Sequence, residues 1–216
     1  MSASNGNVFI LVRDKIEILD PKLNGYQFKV GSYAGLTEGE SGEIFTLTLL
    51  RQKAAYYVQR LSLGPNNFYK FTGQRCLHII GNFENHRMSR PRHLTYSNKK
   101  LFISDIGLHK FYSVDLVTDE QKPFGYYGTS LGQLNRPAGI ICDDSGHILV
   151  ASGNNSLLVF SQAGTFIKAA LQGDEDFSNL RDIRRFKDFL IVMKTSCKER
   201  PTSGRVMWYR LKGTSQ

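Results

Sequence analysis

Arg90-Pro91-Arg92-His93-Leu94 returns 46 residues later as Arg136-Pro137-Ala138-Gly139-Ile140. Leu101-Phe102-Ile103-Ser104-Asp105 returns 47 residues later as Ile148-Leu149-Val150-Ala151-Ser152. Each copy continues through a polar stretch into a second apolar run, Lys110 to Val114 and Leu157 to Phe160. A constant offset in the forties, filled with short apolar runs, means one supersecondary unit used repeatedly. No segment carries a sustained helical period with caps. The period fits about four short strands, the unit of a β-propeller blade.

The copies are clearest over residues 88–134 and 135–178. Weaker echoes lie on both sides. Leu180-Arg181-Asp182-Ile183 repeats the opening, and Phe189 to Val192 and Val206 to Tyr209 follow as strands. Upstream, Glu43 to Leu47 serves as another opening strand, aligning Ile44, Leu94, Ile140 and Ile183. Labelling strands A to D outwards from the axis, residues 135–170 give A at Gly139–Cys142, B at Ile148–Ala151, C at Leu157–Phe160 and D at Phe166–Ala170. Asp143-Asp144-Ser145-Gly146 and Ala163-Gly164 fall between these strands, where Gly and Asp tolerate tight turns. Before Glu43, the runs Val8–Val12, Ile16–Leu19 and Tyr26–Val30 read as B, C and D of a blade whose A strand precedes Met1. The tally is 18 strands, against about 24 for six four-stranded blades. One all-β domain over residues 1–216 is therefore expected, an incomplete propeller of about five blades or part-blades of short antiparallel strands.

Phe124-Gly125-Tyr126-Tyr127-Gly128, Gly132-Gln133-Leu134-Asn135-Arg136-Pro137-Ala138-Gly139-Ile140, Gly146-His147-Ile148-Leu149-Val150-Ala151 and Val159-Phe160 together resemble one full NHL repeat. A second match covers residues 88–125. The chain departs from the pattern at Ser152, where the family usually has Asp, and at Asn154-Asn155-Ser156. The resemblance implies an NHL-type β-propeller, often six-bladed. Such a domain is an RNA- or protein-binding platform, found typically at the C-terminus of tripartite-motif ubiquitin ligases.

Charge supports a polyanionic partner. Lys and Arg number 28 against 19 Asp and Glu, a formal net charge of +9, which concentrates RNA, DNA or anionic lipid near the surface. The same excess also serves solubility alone. Near the start, the longest apolar run is Val8–Val12, too short for a signal h-region or a membrane span. Cys76, Cys142 and Cys197 are odd in number and widely spaced, which fits a reduced, cytoplasmic setting.

In a propeller, the start of strand A and the B–C loop emerge on one face. The residues at those places are Arg87, Arg90 and Arg92 with His109 and Lys110; Asn135 and Arg136 with Asn154 and Asn155; and Arg181 and Arg184 with Lys198, Arg200 and Arg205. Arg92 and Arg181 hold equivalent repeat positions. Arginines around a rim, with Tyr96, Tyr126 and Tyr127 in reach, suit phosphate contact and base stacking. Arg-Pro at a rim can equally serve only to anchor its loop.

Catalysis and metal binding have little support, and no cofactor is expected. The five histidines, His78, His86, His93, His109 and His147, lack ligand neighbours at finger or HExxH spacing. A peptide-amidating lyase also uses an NHL-like propeller with zinc, but it would be secreted and disulfide-bonded. Asp143-Asp144-x-Gly146 is too short for a calcium loop and reads as a hairpin turn. Three cysteines cannot supply a RING. The expectation is a non-enzymatic module binding RNA through its basic rim. The alternative is a protein-interaction module that recruits ubiquitination substrates. No membrane partner is expected.

Overall fold

In a computed structural model of the chain, the described residues are 1, 3–12, 15–29, 32–50, 55–65, 68–76, 90–154, 156–172, 180–195 and 204–210. They form 18 strands in five antiparallel sheets, without a helix. Sheet one holds β1 (Val8–Val12), β2 (Lys15–Leu19) and β3 (Gly25–Lys29). Sheet two holds β4 (Ser32–Glu38), β5 (Ile44–Leu50), β6 (Ala55–Leu63) and β7 (Tyr69–Cys76). Sheet three holds β8 (Pro91–Ser97), β9 (Lys100–Asp105), β10 (Lys110–Asp115) and β11 (Gln121–Phe124). Sheet four holds β12 (Ile140–Cys142), β13 (Ile148–Ser152), β14 (Ser156–Phe160) and β15 (Phe166–Gln172). Sheet five holds β16 (Leu180–Phe186), β17 (Phe189–Thr195) and β18 (Gly204–Arg210). Each sheet is a meander whose strands follow in sequence order, and the five make a β-propeller.

Apolar residues on both faces mark strands of sheets two, three and four, because each of these sheets is sandwiched between two others. β13 and β14 are buried at every position. Four apolar clusters fill four gaps between successive sheets. Phe9, Ile16, Ile18, Ile44, Leu61 and Tyr69 join sheets one and two. Leu47, Val58, Leu94, Leu101, Ile103 and Val114 join sheets two and three. Phe102, Phe111, Ile140, Ile148, Val150 and Phe160 join sheets three and four. Leu149, Val159, Ile183, Leu190 and Val192 join sheets four and five. Each wholly buried Phe contributes about 1.5–3 kcal/mol. These four clusters are the ones found among the described residues.

The innermost strands touch one another through glycine. A Cβ on Gly139 would sit 2.5 Å from Ile183 N and 2.9 Å from the Asp182 backbone. A Cβ on Gly35 would sit 2.8 Å from Leu94 Cδ2 and 3.1 Å from Arg92 O. Bulges mark the starts of β4 at Tyr33/Gly35, β8 at Pro91/Leu94 and β16 at Leu180/Asp182.

These contacts correct the upstream alignment. The strand equivalent to β8, β12 and β16 is β4, and Leu36 after Gly35 is the counterpart of Ile140 after Gly139. Ile44 opens the second strand of its sheet. Glu43 to Leu47 mimicked an innermost strand because β5 is buried from Ile44 to Thr48. Met1 and Ala3 hydrogen-bond Phe9 and Asn7 across a turn, in the place of an innermost strand. Val30, the last residue of the expected third run, lies outside the described residues.

Candidate nucleic-acid interface

β8 and β9 pair with Pro91 opposite Asp105, so the start of the inner strand and the end of the second share one face. Asp105 ties them together. Its Oδ1 accepts N–H groups of Arg90 (2.9 Å), Gly107 (2.8 Å) and Leu108 (3.1 Å), and Ile106 N–H donates to Arg90 O at 3.1 Å. In the next blade Ser152 replaces that carboxylate. Its Oγ accepts Asn135 N–H at 2.9 Å and donates to Asn135 O at 3.3 Å, while Gly153 N–H donates to Asn135 O at 2.6 Å. The departure from the repeat pattern at Ser152 thus keeps the loop linkage and removes a negative charge from this face.

Adjacent blades also meet here. Arg136 N–H donates to His109 Nδ1 at 2.9 Å, which leaves the ring proton of neutral His109 on Nε2. The Tyr127 ring stands edge-on to His109, 4.5 Å between centroids. His109 (φ 56°) and Arg136 (φ 50°) both occupy the left-handed region, a strained choice for residues with a Cβ. Tyr126 and Tyr127 project from the linker between β11 and β12, 78% and 66% exposed. Asn154 Nδ2 donates to Gln133 O at 3.3 Å and braces that linker. One patch therefore carries an exposed arginine, two exposed tyrosines and an imidazole.

The other rim residues fall around it. Arg90 and Arg92 are exposed and Lys110 is half-buried beside them. Arg181 is half-buried at the start of β16, and exposed Arg205 opens β18 opposite Lys194. Arg184 lies further along β16, where Nη2 pairs with Asp182 Oδ2 at 3.2 Å. It is also close enough to the Met1 amino group to add to the burial that lowers that group's pKa. Arg87, Asn155, Lys198 and Arg200 lie outside the described residues. Tyr96 does not reach this rim. It stands at the far end of β8, stacks on Phe45 and donates from its hydroxyl to Glu40 Oε2 at 3.3 Å.

Two features went unread in the sequence. His93, Gly139 and Asp182 each precede the aligned Leu94, Ile140 and Ile183, and the first and last meet, His93 Nδ1 to Asp182 Oδ1 at 3.5 Å. Burial lowers the His93 pKa against the pull of Asp182, so the ring is neutral near pH 7 and Arg184 supplies the carboxylate's cation. The repeat alignment held this signal. The second feature is the charge of the opposite face. The turns there carry Glu38, Glu40, Glu43, Asp115, Asp119, Glu120, Asp143, Asp144 and Asp188. Side-chain and backbone hydrogen bonds hold the Asp115 and Asp144 carboxyls below the usual range. On the rim face the described carboxylates are Asp105, buried under its loop, and Asp182.

No metal-ligating group of three His, Cys, Asp or Glu side chains occurs among the described residues. No helix is long and apolar enough to cross a membrane.

No protein-family model and no curated protein matches the sequence. Solved structures do. The Malassezia sympodialis allergen Mala s 1 superposes with a TM-score of 0.64 at 14% identity, over 94% of this chain and 74% of the allergen. A luciferin-regenerating enzyme gives 0.64 at 15% identity, over 98% and 75%. The β-propeller domain of Cps50 (Swd1) from Myceliophteria thermophila gives 0.65 at 9% identity, over 97% and 70%. An allergen, an enzyme and a propeller domain at such identities share the fold with this chain, and a fold hosts many functions.

Proposed function

We propose that the chain is a non-enzymatic, NHL-type propeller module that holds single-stranded RNA against its rim face. The observation that carries this reading is the sorting of charge and aromatics between the faces. Arg90, Arg92, Lys110, Arg136, Arg181 and Arg205 gather on one side with Tyr126 and Tyr127, while on the other the acidic turns are interleaved and partly paired with Arg75, Lys100, Lys122 and Arg185. Cations that follow a phosphate backbone beside exposed rings are what sequence-tolerant single-strand binding requires. Duplex is a poorer fit, because its bases are not free to stack on side chains.

The test is fluorescence anisotropy with a labelled mixed-sequence RNA oligonucleotide. Arg90→Glu with Arg136→Glu should weaken binding more than ten-fold, and Lys187→Glu on the other face should leave it unchanged. Equal affinity for wild type and the double variant would overturn the reading.

A second reading rests on the linker. Tyr126, Tyr127 and Leu131 expose apolar surface there, which also suits a protein partner, such as a substrate recruited to a tripartite-motif-type ubiquitin ligase. Specific retention of one protein after nuclease treatment, lost in Tyr126→Ala with Leu131→Ala, would favour it.

A further inference from the structure

Between sheets one and two, on the face away from the basic rim, the structure holds a cavity of about 750 Å³. The turn from Ala3 to Asn7, the β2–β3 turn, and Leu63 with Phe68 where β6 gives way to β7 enclose it. Cavities of this size hold small organic ligands. Asn7 lines it and is only 8% exposed. The Asn7 backbone is committed to the turn: its N–H donates to Asn5 Oδ1 at 3.1 Å, and its carbonyl accepts Ala3 N–H at 2.8 Å. Its side-chain amide bonds to none of the described residues. A buried amide without a partner is costly, and a ligand that completes it is a physical reason to keep it. The groups around it are held in place. Asn5 uses both ends of its amide, Oδ1 on Asn7 and Nδ2 on the Tyr69 hydroxyl at 2.8 Å. The Asp20 carboxylate accepts Lys22 N–H and Asn24 N–H at 2.8 Å each, and Asn24 Nδ2 at 2.9 Å. Asn24, oriented by that bond, presents its Oδ1 and a second N–H to the cavity. Phe68 is 58% exposed and stands edge-on to Tyr26, 5.0 Å between centroids.

We propose that this cavity binds a neutral sugar, one pyranose laying its C–H face on Phe68 while its hydroxyls bond the amides of Asn7 and Asn24. A hydroxyl donates and accepts at once, and so completes an amide that offers both. Other ligand classes fit less well. An anion finds only Lys22 among the described lining residues, with the Asp20 carboxylate beside it. A metal ion would have to displace the three N–H groups that Asp20 already holds. A wholly apolar ligand would leave Asn7 unpaired. A flat base gains most between parallel rings, and the planes of Phe68 and Tyr26 are inclined at 68°. The cavity shares no residue with the rim that carries Arg136 and Tyr127, so sugar binding and RNA binding are separable.

Saturation-transfer NMR with glucose, galactose, mannose and N-acetylglucosamine, each up to tens of millimolar, tests this directly. At least one of the four should bind, with transfer strongest to the C–H protons of one ring face. Phe68→Ala should weaken that sugar more than ten-fold with an unchanged far-ultraviolet circular dichroism spectrum. Asn7→Leu should weaken it as much and leave the urea midpoint no lower, because the amide it removes has no partner in the free protein. Failure of all four sugars to bind overturns the proposal. So does a sugar whose affinity neither substitution lowers, or adenosine binding more tightly than every sugar and losing affinity in Phe68→Ala.

Discussion

Gly139→Ala is a one-carbon test of how the inner strands are packed. The added Cβ would stand 2.5 Å from Ile183 N and 2.9 Å from both Asp182 C and Asp182 Cα. All three are backbone atoms of β16, so no side chain can swing aside, and sheets four and five must part. Overpacking a core costs about 1–3 kcal/mol, and a backbone obstacle belongs at the upper end, about 2–3 kcal/mol. For a chain of this length each kcal/mol shifts the melting temperature by about 2–4 °C, giving a fall of roughly 4–12 °C. Gly35→Ala should cost less, because its nearest contact is the movable Leu94 Cδ2 at 2.8 Å. Gly204→Ala should change stability by no more than about 0.5 kcal/mol, since its Cβ meets nothing closer than Lys194 O at 3.9 Å. Urea unfolding followed by circular dichroism measures all three variants. If Gly139→Ala lies within about 0.5 kcal/mol of wild type, β12 and β16 do not approach as described, and the inner-strand geometry that spaces the rim is wrong.

Other consequences are simpler to state. RNA affinity should fall with salt at a log–log slope near −4, about −0.7 for each of the rim cations if all engage phosphate, and Arg136→Gln should reduce that slope by about 0.7. Because burial lowers the His93 pKa, the unfolded chain binds the proton more readily. Stability should therefore fall as pH drops below about 6.5, and His93→Gln should flatten the pH dependence of urea midpoints between about pH 5 and 7. Burial pushes the Cys142 thiol up to about 12. In a Cys76→Ser, Cys197→Ser background it should resist a disulfide reagent at pH 8 until urea is added, and rapid native labelling would contradict that burial.

The strand pattern was legible because the middle blades are sandwiched between neighbours. Runs such as Ile148–Ser152 and Ser156–Phe160 are apolar on both faces and cannot be solvent-facing loops. Rim membership followed from strand direction alone, which is why Arg90, Lys110, Asn135, Arg136 and Asn154 lie where the repeat implies. What the repeat could not convey was side-chain reach. Tyr96 is near Arg92 in sequence, yet five strand residues carry it to the opposite face. Arg184, in the same inner strand as Arg181, turns along the strand to Asp182 instead of meeting the rim. Ile44 misled for a different reason. Second strands are buried as thoroughly as inner ones, so burial cannot tell them apart, whereas the close approach at Gly35 does.

The polarity of the two faces follows from the topology acting on composition. In a meander blade the A–B and C–D turns share one face, and they are tight hairpins. Aspartate is favoured in them because its carboxylate accepts nearby N–H groups. Asp143 accepts His147 N–H at 2.8 Å, and Asp115 accepts those of Val117 and Thr118 at 2.8 and 3.0 Å. Acid thus accumulates on that face for reasons of folding. The rim face is built from longer loops and linkers with no such demand, and its one structural carboxylate position is Asp105 in one blade and uncharged Ser152 in the next. Turn chemistry explains where the negative charge went; it does not explain why arginine fills the rim. Solubility alone would be satisfied by lysine scattered over both faces. Arginine beside exposed tyrosine, on positive-φ backbone at Arg136 and His109, is a local arrangement that turn chemistry does not account for. That residue of unexplained order is where a ligand should be sought.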